Sequence, residues 1–126
     1  MMTRAVAISS LAVMGLGGCA EQPTGPHFAV IDRLMIDDDL INILVETGGV
    51  TGPEMASDYA DCVVAAYALE NQLAFARPIR TQTTKTGGNW RADAVYSVSP
   101  ALPKGPRTID AEIAVQGCAE LGIPTS

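Results

Sequence analysis

The groups in this 126-residue chain able to do covalent or acid–base chemistry are three cysteines, one histidine and fourteen carboxylates. A nucleophilic site sets Ser, Thr or Cys within reach of a base, usually a histidine. His27 is the sole histidine and lies beside Pro26 in a polar stretch, which reads as a solvated position. The chain contains no GxSxG, no HExxH and no glycine-rich phosphate loop. Cys62 is a nucleophile only if its thiol is free, and no base accompanies it. Asp37-Asp38-Asp39 offers oxygens to a hard cation, but a calcium loop begun at Asp37 needs Gly at its sixth position and Glu at its twelfth. Those positions hold Asn42 and Gly48, so a solvated turn is the simpler reading. Thiols and imidazoles are too few and too scattered for zinc. A glycosidase pair needs a carboxylic acid of raised pKa in a sizeable cleft. Clustering of Asp58, Asp61 or Asp93 in such a cleft would favour an enzyme. Trp90 and Tyr96, at alternate positions, read as core packing under a helix before a ligand groove. No catalytic residue, metal site or cofactor is expected.

A different chemistry attaches to Cys19. Arg4 supplies a basic start, and residues 5–17 are thirteen apolar or small residues. A membrane span needs about 20, whereas this pattern describes a secretory signal peptide. Leu16-Gly17-Gly18-Cys19 resembles the lipobox of bacterial lipoproteins. That resemblance implies removal of residues 1–18, a diacylglyceride on the Cys19 sulfur, and acylation of its new amine. Ala20 stands where an Asp would, in that class, signal inner-membrane retention, so the periplasmic face of the outer membrane is expected. Ordinary signal cleavage, with Cys19 as a spare thiol, is the rival. The count of cysteines bears on the choice. Three exported thiols leave one unpaired, and lipidation of Cys19 leaves Cys62 and Cys118 as an even pair.

Without residues 1–18 the chain has 108 residues, enough for one small domain with a modest core. It then carries seven basic and fourteen acidic side chains, a formal charge of −7. This balance argues against nucleic acid and against electrostatic binding to anionic lipid. Residues 19–70 hold ten acids and only Arg33; residues 71–126 hold six bases and four acids. Halves of opposite sign pair within the fold or present a polarised docking surface.

The elements that must position these groups follow from spacing. Residues 19–28 read as a tether, and 29–126 as a single domain. Two strands are expected at 29–36 and 40–46, turning at the three Asp, with Leu40–Val45 apolar enough for burial on both faces or for a place at the sheet centre. Thr51-Gly52-Pro53-Glu54 reads as a capping box opening a helix to about Gln72. Its inward stripe is expected at Met55, Tyr59, Cys62, Ala66 and Leu69. Residues 76–85 read as a strand near a sheet edge because of Pro78, and Thr86-Gly87-Gly88-Asn89 as a hairpin turn. The next strand alternates, with Trp90, Ala92, Ala94, Tyr96 and Val98 on one face and Arg91, Asp93 and Ser97 on the other. After the loop 100–106, alternation of Ile109, Ala111, Ile113 and Val115 predicts a last strand. Arg91 is expected beside Asp110 or Glu112 across the sheet.

The expected fold is α+β: one helix on a four- to five-stranded antiparallel sheet, with one disulfide between Cys62 and Cys118. Such a bridge closes a 57-residue loop, and the chain-entropy model gives it roughly 4 kcal/mol. The stretches FARPIRTQTTKTGGNWRADAVYSVSP and RTIDAEIAVQGCAELGIPTS resemble small uncharacterised lipoproteins of alphaproteobacteria, which brings no activity with it. The functional expectation is a non-catalytic envelope module, held to the membrane by lipid on Cys19 and binding a protein partner. The alternatives are a small-ligand carrier, with an apolar pocket between helix and sheet lined by Tyr59, Trp90 and Tyr96, and an enzyme with a carboxylate site.

Overall fold

A computed structural model describes residues 25–126. The expected signal segment 1–18, Cys19 and the first part of the expected tether lie outside the described residues. The elements run β1 (His27–Asp37), β2 (Leu40–Gly48), α1 (Glu54–Glu70), β3 (Phe75–Thr86), β4 (Asn89–Ser99), β5 (Ile109–Asp110) and α2 (Ala111–Leu121). The strands form one antiparallel sheet in the order β1-β2-β4-β3-β5. The domain is α+β, with α1 packed on the sheet and α2 packed on α1.

The β1–β2 hairpin turns at Asp38 and Asp39, inside the expected acidic run. His27 and Phe28 belong to β1, pairing with Gly48 and Thr47, so they are strand and not tether. Register slips flanking Ile31 and Ile36 mark bulges, which bend this edge strand. In β2, Ile41, Ile43, Val45 and Thr47 are fully buried, whereas Leu40, Asn42, Leu44 and Glu46 are half-buried. β2 is an inner strand, between β1 and β4, and is fully buried on one face only, because α1 lies over a single side of the sheet.

α1 starts at Glu54 as expected, but without the capping box. Pro53 is its N-cap and no side chain bonds there. The buried arc is wider than the expected stripe. Ala56, Tyr59, Ala60, Val63 and Val64 join the sheet core, and Ala65 and Ala68 meet Ala111 of α2 in a second cluster. Leu69 is exposed. The helix is wedged between a sheet and another helix, so two arcs of its surface are covered. Ala76, Ala92 and Ala94 are fully buried on the strands beneath it, small residues suited to a close approach.

The expected last strand is overturned. Only Ile109 and Asp110 pair with β3, and the chain turns at once into α2. Asp110 caps that helix, its carboxylate accepting from the Ile113 amide at 3.1 Å. Gly122, at φ 71°, closes it in the left-handed conformation that glycine adopts without strain. Ile113, expected inward, is 68% exposed. Ala111, Val115 and Cys118 share a helical face at spacings of four and three instead. Cys62 and Cys118 form a disulfide with Cα atoms 6.1 Å apart. It ties helix to helix, not helix to strand.

Candidate functional site

Two surfaces carry chemistry that the core does not consume. The first is a cleft beside α1. Glu54, Ser57 and Asp61 recur at spacings of three and four, one stripe of the helix. The stripe faces β3 where that strand has short side chains: Thr81 and Thr83 line the groove with Pro53, Glu54 and Ser57. Further along, Ser57, Asp61, Pro78, Thr81, Arg107, Thr108 and Ile109 enclose a cleft of about 360 Å³. The segment bearing Arg107 is brought there because Ile109 pairs with Ala76 of β3. Arg107 holds φ at 62°, a conformation that costs a non-glycine residue about 1–2 kcal/mol.

Asp61 is fixed from below. The phenol of Tyr96, fully buried on β4, donates to Asp61 Oδ1 at 2.6 Å. Burial pushes the Asp61 carboxyl above its ordinary range; the Tyr96 hydrogen bond opposes that rise and the neighbouring Asp58 adds to it. Burial, with the Asp61 charge and hydrogen bond, pushes the Tyr96 phenol far up, so it remains a donor. A half-buried carboxylate without a cationic partner is a feature that core packing alone would not select.

The second surface is the sheet face away from α1. Register places Leu34 of β1, Leu40, Asn42, Leu44 and Glu46 of β2, and Arg91, Asp93, Val95 and Ser97 of β4 on it. Among the described residues no helix lies over this face. Asn42 donates to Asp93 Oδ1 at 2.6 Å. Arg91 pairs with Glu46 at 2.8 Å, directly across β2 and β4, and not with Asp110 or Glu112. Arg91 and then Asn89 hydrogen-bond Glu46 and hold its carboxyl below the ordinary value. The apolar residues continue onto β1, where Ile31 (45%), Leu34 (56%) and Ile36 (55%) are exposed within six positions.

The other singled-out residues fall apart in space. Cys19 lies outside the described residues. Cys62 and Cys118 are joined to each other and buried. His27 is exposed at the start of β1. Asp37 Oδ1 accepts from the Asp38 amide, and no group of three metal-ligating side chains gathers among the described residues. Asp61 lines the cleft while Asp93 sits on the opposite sheet face, so that pair is not assembled. Tyr59 meets Phe28 edge-on at 5.0 Å and donates to the Ser126 carbonyl at 2.8 Å. Lys85 lies 5.7 Å over the Trp90 ring. The sequence missed Arg107, Ser57 and Thr81 as neighbours of Asp61; only the positions of Ser57 and Asp61 on one helix stripe hinted at the group.

A family model described as the YNQ4 C-terminal domain matches residues 28–122, which is β1 through α2. No curated protein and no solved structure matches the chain.

Proposed function

We propose that this chain, which belongs to the YNQ4 C-terminal domain family, is a non-catalytic docking module held to the outer membrane by lipid on Cys19. Its partner is an envelope protein with an apolar contact surface rimmed by basic residues. The observation that carries this reading is the exposure of Ile31, Leu34 and Ile36 within six positions of one edge strand. Single exposed apolar residues are ordinary, whereas several close together on an edge strand favour a contact site. Half-buried Leu40, Leu44 and Val95 extend it across the bare sheet face. Asp32, Asp37, Asp38 and Asp39 flank it along β1 and its turn, while Arg80 and Arg77 of β3 lie on the same sheet face opposite Val95 and Ser97. The acidic β1 end attracts a basic partner and repels anionic headgroups, which favours a protein over the bilayer as occupant there. Seven residues lie between Cys19 and His27. At full extension the eight Cα steps from Cys19 to His27 span about 28 Å, so the module works close to the membrane. Tyr59, Trp90 and Tyr96 are engaged with Phe28, Lys85 and Asp61, which favours docking over an apolar carrier pocket.

Two measurements test the parts separately. Cys19→Ala should abolish labelling by radioactive palmitate; continued incorporation would contradict the anchor. Density-gradient fractionation should place the lipidated protein with outer-membrane markers, and co-migration with inner-membrane markers would overturn the location. Leu34→Asp with Ile36→Asp should abolish a cross-linked partner complex in cells while leaving the melting temperature unchanged. Retention of the same complex in that variant would exclude β1 as the contact.

A further inference from the structure

We propose that the cleft between α1 and β3 binds a small dipolar molecule, its ammonium end set against Asp61 and its carboxylate end against Arg107. The class is that of free amino acids and short peptides.

The cleft is lined by opposite charges that do not satisfy each other. Asp61 and Arg107 share its wall, yet among the described residues the one ion pair is Arg91–Glu46, on the far side of the sheet. A carboxylate and a guanidinium that line one cleft without pairing are complementary to a ligand that carries both charges. Glu54, in the adjoining stretch of groove, adds to the acidic end. Ser57, Thr81 and Thr108 line the same cleft, and their hydroxyls suit the donors and acceptors of a peptide bond. Pro78 and Ile109 supply apolar wall for short side chains. The volume, about 360 Å³, lies at the lower end of small-molecule sites.

The Asp61 charge is constrained from outside the cleft, and so is the backbone that carries Arg107. Tyr96 anchors Asp61 Oδ1 from the core, so this carboxylate does not swing freely as a surface carboxylate does. Arg107 is carried on a left-handed residue between Pro106 and a β5 strand pinned to β3. Holding an arginine in that conformation is unfavourable unless its placement matters. Tyr96 is a positioning residue here; Asp61 and Arg107 are the contacts.

The site is separate from the β1 docking surface, so each proposal can fail alone. The test is an amide chemical-shift titration of the isotope-labelled intact protein in detergent micelles. The probes are alanyl-alanine, its N-acetyl form and its C-amide. The free dipeptide should shift the amides of Ser57, Asp61, Thr81 and Thr108, and each blocked form should bind roughly tenfold more weakly, as loss of a charge-assisted hydrogen bond implies. Asp61→Asn should remove the discrimination against the acetylated probe. Arg107→Gln should remove discrimination against the amide, and Arg107→Lys should restore it. Well-dispersed spectra of each variant establish that it is folded. Absence of shifts at the cleft, equal binding of the blocked probes, or variants that discriminate as the native protein does would each overturn the proposal.

Discussion

The two faces of one sheet are built to different rules. On the side under α1, Ile41, Ile43, Val45, Ala92, Ala94 and Tyr96 have no exposed surface. Among the described residues no buried side-chain polar atom lacks a partner. On the other side the same strands carry Leu40, Leu44 and Val95 between Asn42–Asp93 and Glu46–Arg91, all half-buried. The covered face holds the domain together; the bare face mixes Leu34, Leu40, Leu44 and Val95 with polar and charged neighbours, among them Arg77, Arg80, Gln82 and Thr84 of β3. An antiparallel sheet ordinarily shows water a polar side. Leucines there, with the exposed isoleucines on the adjoining edge, are the basis of the proposed contact with a partner.

The largest effect on this contrast comes from removing the disulfide, which clamps α2 onto α1 on the covered side. Replacing Cys62 and Cys118 with Ala should lower stability by roughly 4 kcal/mol, a large part of an ordinary 5–15 kcal/mol. The readout is the thermal midpoint, and palmitate labelling should not change. A shift of only a degree or two would mean that the helices hold each other without the bridge.

Neighbouring residues on β2 give the sharpest contrast. Ile43 points into the core and Leu44 to the bare face. Ile43→Ala should cost about 2–5 kcal/mol, and Leu44→Ala under about 1 kcal/mol, both from urea unfolding. Equal losses would show that the bare face contributes to the core after all.

Smaller effects attend the carboxylate under the cleft. Tyr96→Phe leaves Asp61 without its buried donor and should cost about 1–3 kcal/mol. The folded state raises the Asp61 pKa above its ordinary 3.8, chiefly by burial, against Tyr96 and with Asp58. Folded protein then holds a proton that unfolded chain releases. Stability attributable to Asp61 is full below the unfolded value, falls as pH rises through the folded one, and stays flat above it. Asp61→Asn should match the native protein in acid and gain on it across that window, in melting curves taken from pH 3 upward, roughly spanning the ordinary carboxylate pKa. The smallest effect belongs to Glu46. Its titration, followed by carboxyl carbon shifts, should fall below 4.5 because of Arg91 and Asn89, and Arg91→Ala should return it upward without disturbing the fold.

How far the sequence reached depended on the range of the interactions. Strand alternation in 89–99, the Gly87-Gly88 turn and α1 are local, and they appear where periodicity puts them. The cysteine pair was legible because an odd count left two candidates. The segment 111–116 misled because Ile109, Ala111, Ile113 and Val115 satisfy a period of two, while Ala111, Val115 and Cys118 satisfy a helical one. Asp110 as a cap and Gly122 as a stop decide between them, and both signals lie at the ends of the ambiguous run. The partner of Arg91 depends on β2–β4 register across 45 residues, and the cleft depends on four segments meeting. Neither is written in spacing along the chain.

The proposed contact with a protein partner is the apolar group on β1. A photo-reactive residue placed at Leu34 in the cell-borne protein tests it against one placed at Ile113. Ile113 on α2 is still more exposed, at 68% against 56%, but lacks apolar neighbours of its own kind. The account predicts a discrete adduct from position 34 that disappears when Ile36 is changed to Asp, and none from position 113. Adducts from position 113 alone, equal yields from both positions, or none from position 34 would contradict it.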